Sequence, residues 1–260
     1  MKNFDKYLLR LVNNKTSGSS ELLLFLHEHL KKERKIFQLF PSMITELQKK
    51  FSSFENIQNY LDEFYNEIKN KRSLDKFFDK YDKILLSVYD SIFFKSRDEL
   101  IKYTNFITIS NSKTVLEILK RIKKEKPKIT VYVSESRPKF EGRILVRKLA
   151  EEKINVVLIT EAMLNNYVKK SDAALIGADM ILKNGNVVNK VGSSVLAILC
   201  KHYKIPFYVL ADKSKFSSKN DFNRKDMPST EIWRSSLNIK IPNYYFEEIE
   251  KKLITKIFTS

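Results

Sequence analysis

The sequence predicts an α/β protein: a helical N-terminal domain over residues 1–100, then a parallel-sheet domain over residues 101–260. Three observations lead there. Residues 1–100 carry apolar side chains at helical spacing with few breakers. From Phe106 the period changes, and short apolar runs alternate with helical segments of ten or more residues, the pattern of right-handed crossovers in a covered parallel sheet. The chain is also 43% hydrophobic with only 5 Gly and 6 Pro in 260 residues, which argues against disorder and for a sizeable core.

The helical part is punctuated by a small polar loop at residues 16–20 in "NNKTSGSSELLLFLHEHLKKER". Ser19 or Ser20 is expected to cap the helix that follows, whose apolar stripe is Leu22, Leu23, Phe25, Leu26 and Leu30. Helical spacing continues over residues 44–51, 57–68 and 74–94, with Pro41 ahead of the first of these. Phe54, Tyr60, Phe64, Phe77, Phe78 and Tyr81 fall into aromatic stripes that read as core or oligomer contact.

In the second part "NFITIS", "KITVYVSES" and "INVVLIT" are the first three strands. They are followed by the helices "NSKTVLEILKRIKKEKP", "EGRILVRKLAEEK" and "EAMLNNYVKK". "DAALIGAD" is the fourth strand. "MILK" and "NVVNK" then flank Asn184-Gly185, a strong hairpin signal. A helix over residues 194–203 and the strand "IPFYVLAD" come next, and the tail "NYYFEEIEKKLITKIFTS" reads as a short segment and a final helix or strand.

The net charge of +17 is uneven: residues 1–100 hold 18 Lys+Arg against 15 Asp+Glu, and residues 101–260 hold 30 against 16. A positive field recruits phosphorylated ligands or nucleic acid. No nucleic-acid motif accompanies the charge, so nucleic-acid binding is not expected. One cysteine and three scattered histidines exclude a disulfide framework and a structural zinc site, and no metal is expected. The N-terminal segment is too charged for a signal peptide and no apolar run reaches transmembrane length, so a cytoplasmic location without a membrane partner is expected.

Ligands of open parallel sheets sit beyond the carboxyl ends of the strands. Here those ends supply Ser110, Asn111 and Ser112, then Ser134, Glu135, Ser136 and Arg137, then Glu161, then Gly177 and Asp179, and finally Asp212 and Lys213. After the hairpin stand Lys190 and the turn Gly192-Ser193-Ser194, whose free amides at a helix start suit an anion. These groups describe a pocket for a small, polar, phosphorylated molecule. Neither GxGxxG nor GxxxxGK[ST] occurs, so a dinucleotide fingerprint and a Walker-type loop are both absent.

"ESRPKFEGRILVRKLAEEKINVVLI", "DAALIGADMILKNGNVVNKVGSSVLAILCKHYKIPFYV" and "NNKTSGSSELLL" together resemble the translation initiation factor 2B alpha/beta/delta superfamily. That superfamily includes ribose-1,5-bisphosphate isomerase and methylthioribose-1-phosphate isomerase. The resemblance implies an N-terminal helical domain and a Rossmann-like second domain. It also implies a homodimer or larger homo-oligomer, a translation-initiation GTPase as partner, and no cofactor. Its catalytic members interconvert aldose and ketose sugar phosphates with a cysteine and an aspartate; these positions fall on Ser110 and Asp179.

A serine hydroxyl is far less acidic than a thiol of pKa about 8.5, and no histidine lies near Ser110 in sequence to activate it. The ligand and phosphate residues implied are Gly18, Ser19, Glu135, Arg137, Lys190, Gly192 and Ser193, with Glu135 also placed to orient Arg137. The expected function is a regulatory, non-catalytic relative of the initiation factor with a sugar-phosphate or nucleotide pocket. The alternative is a sugar-phosphate isomerase with altered chemistry.

Overall fold

Helices α1 (Lys6–Val12), α2 (Ser19–Lys32), α3 (Arg34–Leu39), α4 (Ser42–Lys50), α5 (Glu55–Lys69) and α6 (Leu74–Leu100) form the N-terminal part. The computed structural model describes residues 5–14 and 16–260. The aromatic stripes expected from spacing meet in one core, where Tyr60, Phe64, Phe77 and Phe78 are buried among Leu22, Leu26 and Ile44. The Tyr60 and Tyr81 rings meet edge to face at 4.6 Å, a favoured aromatic geometry. The cap of α2 differs from expectation: Gly18 is the capping residue and Ser19 is the first residue of the helix. The Ser19 hydroxyl instead reaches Asp179, 160 positions away.

Helix α6 is 27 residues long, or about 40 Å at the helical rise. Leu74, Phe77 and Phe78 belong to the helical core, while Val88, Ile92 and Leu100 on the same helix pack under the sheet.

The sheet alternates as the sequence predicts: β1 (Asn105–Thr108), α7 (Lys113–Glu125), β2 (Thr130–Ser134), α8 (Glu141–Glu151), β3 (Asn155–Ile159), α9 (Leu164–Val168) and β4 (Ala173–Ile176). The α9 segment is shorter than expected, since residues 161–163 form a 3-10 turn ahead of it. After the hairpin strands β5 (Met180–Ile181) and β6 (Val187–Lys190) come α10 (Ser193–Tyr203), β7 (Phe207–Ala211), β8 (Phe246–Ile249) and β9 (Lys256–Thr259). Both halves of the tail are therefore strands.

The six-stranded sheet has the order β3-β2-β1-β4-β7-β9, all parallel. Alternate residues feed opposite faces. Ala173 and Leu175 of β4 pack with α7 and α8, and Ala174 and Ile176 pack with α9 and α10. The chain builds outward from β1 to β3 and then restarts on the other side of β1 with β4. The β1/β4 gap is thus the topological switch point, where open sheets present a crevice.

A second, antiparallel sheet, β5-β6-β8, stands beyond the carboxyl end of β4. The hairpin turn has Gly185 at φ +87, the left-handed conformation such turns require. Among the described residues no helix is long and apolar enough to cross a membrane.

Candidate functional site

A cleft of about 340 Å³ opens where the switch point meets the N-terminal part. Three parts of the chain build it: Asn13, Asn14, Ser17 and Gly18 ahead of α2, Ser110 and Asp179 at the ends of β1 and β4, and Lys190, Tyr245 and Phe246 of the second sheet. Val12, Phe54, Phe222 and Met227 add apolar wall.

The rim of β1 is locally strained. Ser110 sits at φ +70 and Ser136, after β2, at φ +62, both left-handed conformations that side chains disfavour. The two are tied, because the Ser110 amide donates to Ser136 Oγ at 2.8 Å. The Ser136 amide in turn donates to Glu161 Oε1 at 2.6 Å. Among the described residues the Ser110 hydroxyl has no hydrogen-bond partner, and it faces the cleft.

Asp179 receives the Ser19 hydroxyl at 2.7 Å on Oδ1. Behind Ser19 lies Lys215, only 1% exposed, whose ammonium donates to Ser19 Oγ. Burial pushes the Lys215 pKa below the usual lysine value, and Asp212 and Asp179 pull it back up.

Lys190 and Glu141 form a buried pair at 2.7 Å, with 6% and 2% of their surfaces exposed. The Lys190 ammonium also lies 4.8 Å from the ring centroids of Tyr245 and Phe246. Burial raises the Glu141 pKa, and Lys190 opposes that rise. Among the described residues the buried Glu141 Oε2 has no hydrogen-bond partner. Glu141 opens α8 next to Gly142, where a Cβ would come within 1.7 Å of the Ser134 carbonyl oxygen. Only glycine lets the helix start this close to β2.

The expected anion site at the start of α10 is occupied from within the chain. Glu247 of β8 accepts from the amides of Gly192 and Ser194, both at 2.8 Å, with one carboxylate oxygen. Burial raises the Glu247 pKa and those amides lower it. Gly192 takes φ +99, and Ser193 is buried with its hydroxyl held by Asn189 at 3.1 Å. The helix dipole finds its negative charge in Glu247, not in a ligand.

Arg137 and Glu135 do not line the cleft. The Arg137 guanidinium lies 5.0 Å from the Phe140 ring and donates to the Ile232 carbonyl at 3.3 Å. Glu135 pairs with Arg143 at 2.6 Å, so it orients that arginine instead of Arg137. The Phe140 ring is flanked by both guanidinium groups, with Arg143 at 4.0 Å from its centroid.

The structure thus brings Gly18, Ser110, Asp179 and Lys190 to one cleft, while Ser19 lines a smaller one that shares Gly18, Ser110 and Asp179 with it. Spacing alone missed Lys50 and Lys225, which also line it, as well as Glu141, Lys215 and Glu247. Among the described residues no carboxylate pairs with Lys50 or Lys225. Cys200, the only thiol, is buried in α10 and its pKa is pushed up to about 12 by burial, which leaves it unreactive.

The Initiation factor 2 subunit family matches this chain over residues 8–260. A Pyrococcus furiosus protein described as translation initiation factor eIF-2B subunit 2-like is 37% identical over 153 residues, which cover 59% of this chain and 55% of that one. Ribose 1,5-bisphosphate isomerase of Archaeoglobus fulgidus is 30% identical over 162 residues, covering 59% of this chain and 51% of the enzyme. The chain thus spans about half the length of these curated relatives. Among solved structures, the Pyrococcus horikoshii translation initiation factor eIF-2B superposes with TM-score 0.75 at 24% identity, over 98% of this chain and 95% of that one. A chain of the tetrameric eIF2B-beta2-delta2 complex from C. thermophilum gives TM-score 0.76 at 14% identity, over 98% and 91%. At these identities the structures establish the shared fold.

Proposed function

We propose that this chain, which belongs to the Initiation factor 2 subunit family, binds a phosphorylated small molecule in its switch-point cleft and acts as a non-catalytic, regulatory member of that family. The observation that carries this reading is Ser110. It stands in the cleft with Asp179, the resemblance implies the isomerases' thiol at its position, and the only thiol of the chain is buried in α10. A serine hydroxyl, far less acidic than a thiol, is a poor group for moving a proton from carbon.

Groups suited to binding remain in the cleft, though not the full set expected from the sequence. With Lys190 neutralised by Glu141, Lys50 and Lys225 remain as cations without a carboxylate partner among the described residues, available to a phosphate. Asp179, Ser110, Asn111 and Ser17 offer partners for sugar hydroxyls, and the apolar wall suits a sugar or nucleoside face. Occupancy would be sensed by both parts of the chain, because the cleft is built from both. Assembly into a homo-oligomer, a translation-initiation GTPase as the partner and a cytoplasmic location belong to the same proposal.

The competing reading is a sugar-phosphate isomerase. It draws on Asp179 at the cleft and on the isomerases among the relatives. Incubation of the purified protein with ribose-1,5-bisphosphate, followed by phosphorus NMR, separates the two. Binding without formation of ribulose-1,5-bisphosphate is expected, and turnover would overturn the non-catalytic reading. Any turnover must vanish in Asp179→Asn; if it persisted, the cleft would not be the active site.

A further inference from the structure

We propose that Ser19 is a positioning residue, whose hydroxyl ties the buried ammonium of Lys215 to Oδ1 of Asp179 and so holds the other oxygen of Asp179 toward the ligand. The inference rests on the reading of the cleft as a ligand site and adds how its aspartate is set.

The hydrogen-bond direction admits one arrangement. A lysine ammonium only donates and an ionised carboxylate only accepts, so the hydroxyl between them accepts from Lys215 and gives its single proton to Asp179. The positive charge behind the hydroxyl polarises it, which strengthens its bond to the carboxylate. Lys215 has three N–H donors, yet its one hydrogen bond among the described residues goes to Ser19. No carboxylate there pairs with it directly; Asp212 and Asp179 act on it through space. A lysine that is 1% exposed with a single acceptor is held by that acceptor.

Lys215 does not line the cleft, and its hydrogen-bonded route to a ligand runs through Ser19. Asp179 does line it, and Oδ2 carries no hydrogen bond among the described residues. With Oδ1 pinned, Oδ2 is the acceptor left for a sugar hydroxyl. The scaffold around the tie is firm. The Ser19 carbonyl accepts from Asn56 Nδ2 of α5 at 3.2 Å, and the turn carrying Lys215 is held to the same helix by Asn59 Nδ2 on the Ser214 carbonyl at 3.0 Å. One serine at the start of α2 thereby joins the helical part to the loops after β4 and β7.

The test is calorimetric titration of the full chain with ribose-1,5-bisphosphate, comparing wild type with Ser19→Ala, Ser19→Thr, Lys215→Met and the Ser19→Ala/Lys215→Met double variant. Loss of one charge-assisted hydrogen bond weakens binding about 10- to 100-fold, and this is expected for Ser19→Ala and for Lys215→Met. The double variant should be no weaker than either single one, since both cut the same chain of bonds. Ser19→Thr keeps the hydroxyl and should bind within about threefold of wild type at an unchanged melting temperature. If Ser19→Ala does not fold, Ser19→Cys, with a weakly bonding thiol of similar size, takes its place.

Additive losses would mean that Lys215 acts independently of Ser19, and would overturn the proposal. A folded Ser19→Thr as weak as Ser19→Ala would do the same. Wild-type protein that does not bind the probe removes the ligand reading itself, and this inference with it. Wild-type binding that Ser19→Ala leaves unchanged removes only the inference.

Discussion

Replacing Lys190 with methionine strands Glu141 in the wall of the cleft. The two groups face each other at 2.7 Å with almost no solvent contact, and removing one member of such a pair costs about 3–5 kcal/mol. The same ammonium lies 4.8 Å from the centroids of two aromatic rings, a desolvated interaction that adds about 2 kcal/mol. Methionine keeps the packing of the stem, so the expected loss near neutral pH is about 5–7 kcal/mol.

Its pH dependence identifies the origin. Burial already holds the Glu141 pKa up, and Lys190 is the first group opposing that rise, so the variant raises it further. A carboxyl whose folded pKa exceeds its unfolded value of about 4.3 binds more protons folded than unfolded, and stability then falls as pH rises between those two values. The deficit of Lys190→Met is therefore greatest above the raised pKa and shrinks below about pH 4, where Glu141 is protonated in both states. What survives in acid is the lost ring contact, about 2 kcal/mol. Urea unfolding followed by circular dichroism, near neutral pH and near pH 4, reads both quantities. A neutral-pH deficit below about 1 kcal/mol, or one that acid leaves unchanged, would refute the buried-pair assignment. Recovery of stability in Lys190→Met/Glu141→Met would support it.

Two further outcomes follow from single contacts. Glu247→Ala removes the carboxylate that caps α10 through two amides, and should lower unfolding stability by about 1–2 kcal/mol in the same urea assay. Gly142→Ala drives a methyl group to within 1.7 Å of a backbone oxygen that cannot move aside without displacing β2. A loss of about 3 kcal/mol or more is expected, visible as a lowered melting temperature or as loss of soluble protein.

The parts of this fold that a sequence displays are those set by neighbours along the chain. The four apolar runs from "NFITIS" to "DAALIGAD" became parallel strands because each is short and apolar and the first three are each followed by a helix that crosses back over the sheet. Asn184-Gly185 made its hairpin for the same local reason. The antiparallel sheet was hidden because its third strand, β8, joins β6 from more than 50 residues downstream and carries "FEEI", which has little apolar signal of its own. The site divides along the same line. Asp179, Ser110 and Lys190 meet because strand ends at a switch point converge whatever the side chains do.

The sequence-stated roles of Arg137, Glu135 and the Gly192 turn depended on which partners reach them, and there distant residues compete. Ile232 and Phe140 take Arg137, Arg143 takes Glu135, and Glu247 takes the helix start. Each of these internal partners follows one rule: a charge or free amide takes whichever complementary group the fold brings near, and a ligand can claim only what is left. Lys215 illustrates the cost of ignoring it. Beside Lys213 in "ADKSKF" it reads as a solvated lysine, yet it is the most buried cation described, held by a serine 196 positions earlier. The groups that have no partner among the described residues, Asp179 Oδ2, the Ser110 hydroxyl and the Lys50 and Lys225 ammonium groups, are therefore the cleft's best guide to a ligand: an acceptor and a hydroxyl for a polyol, and two cations for its phosphate.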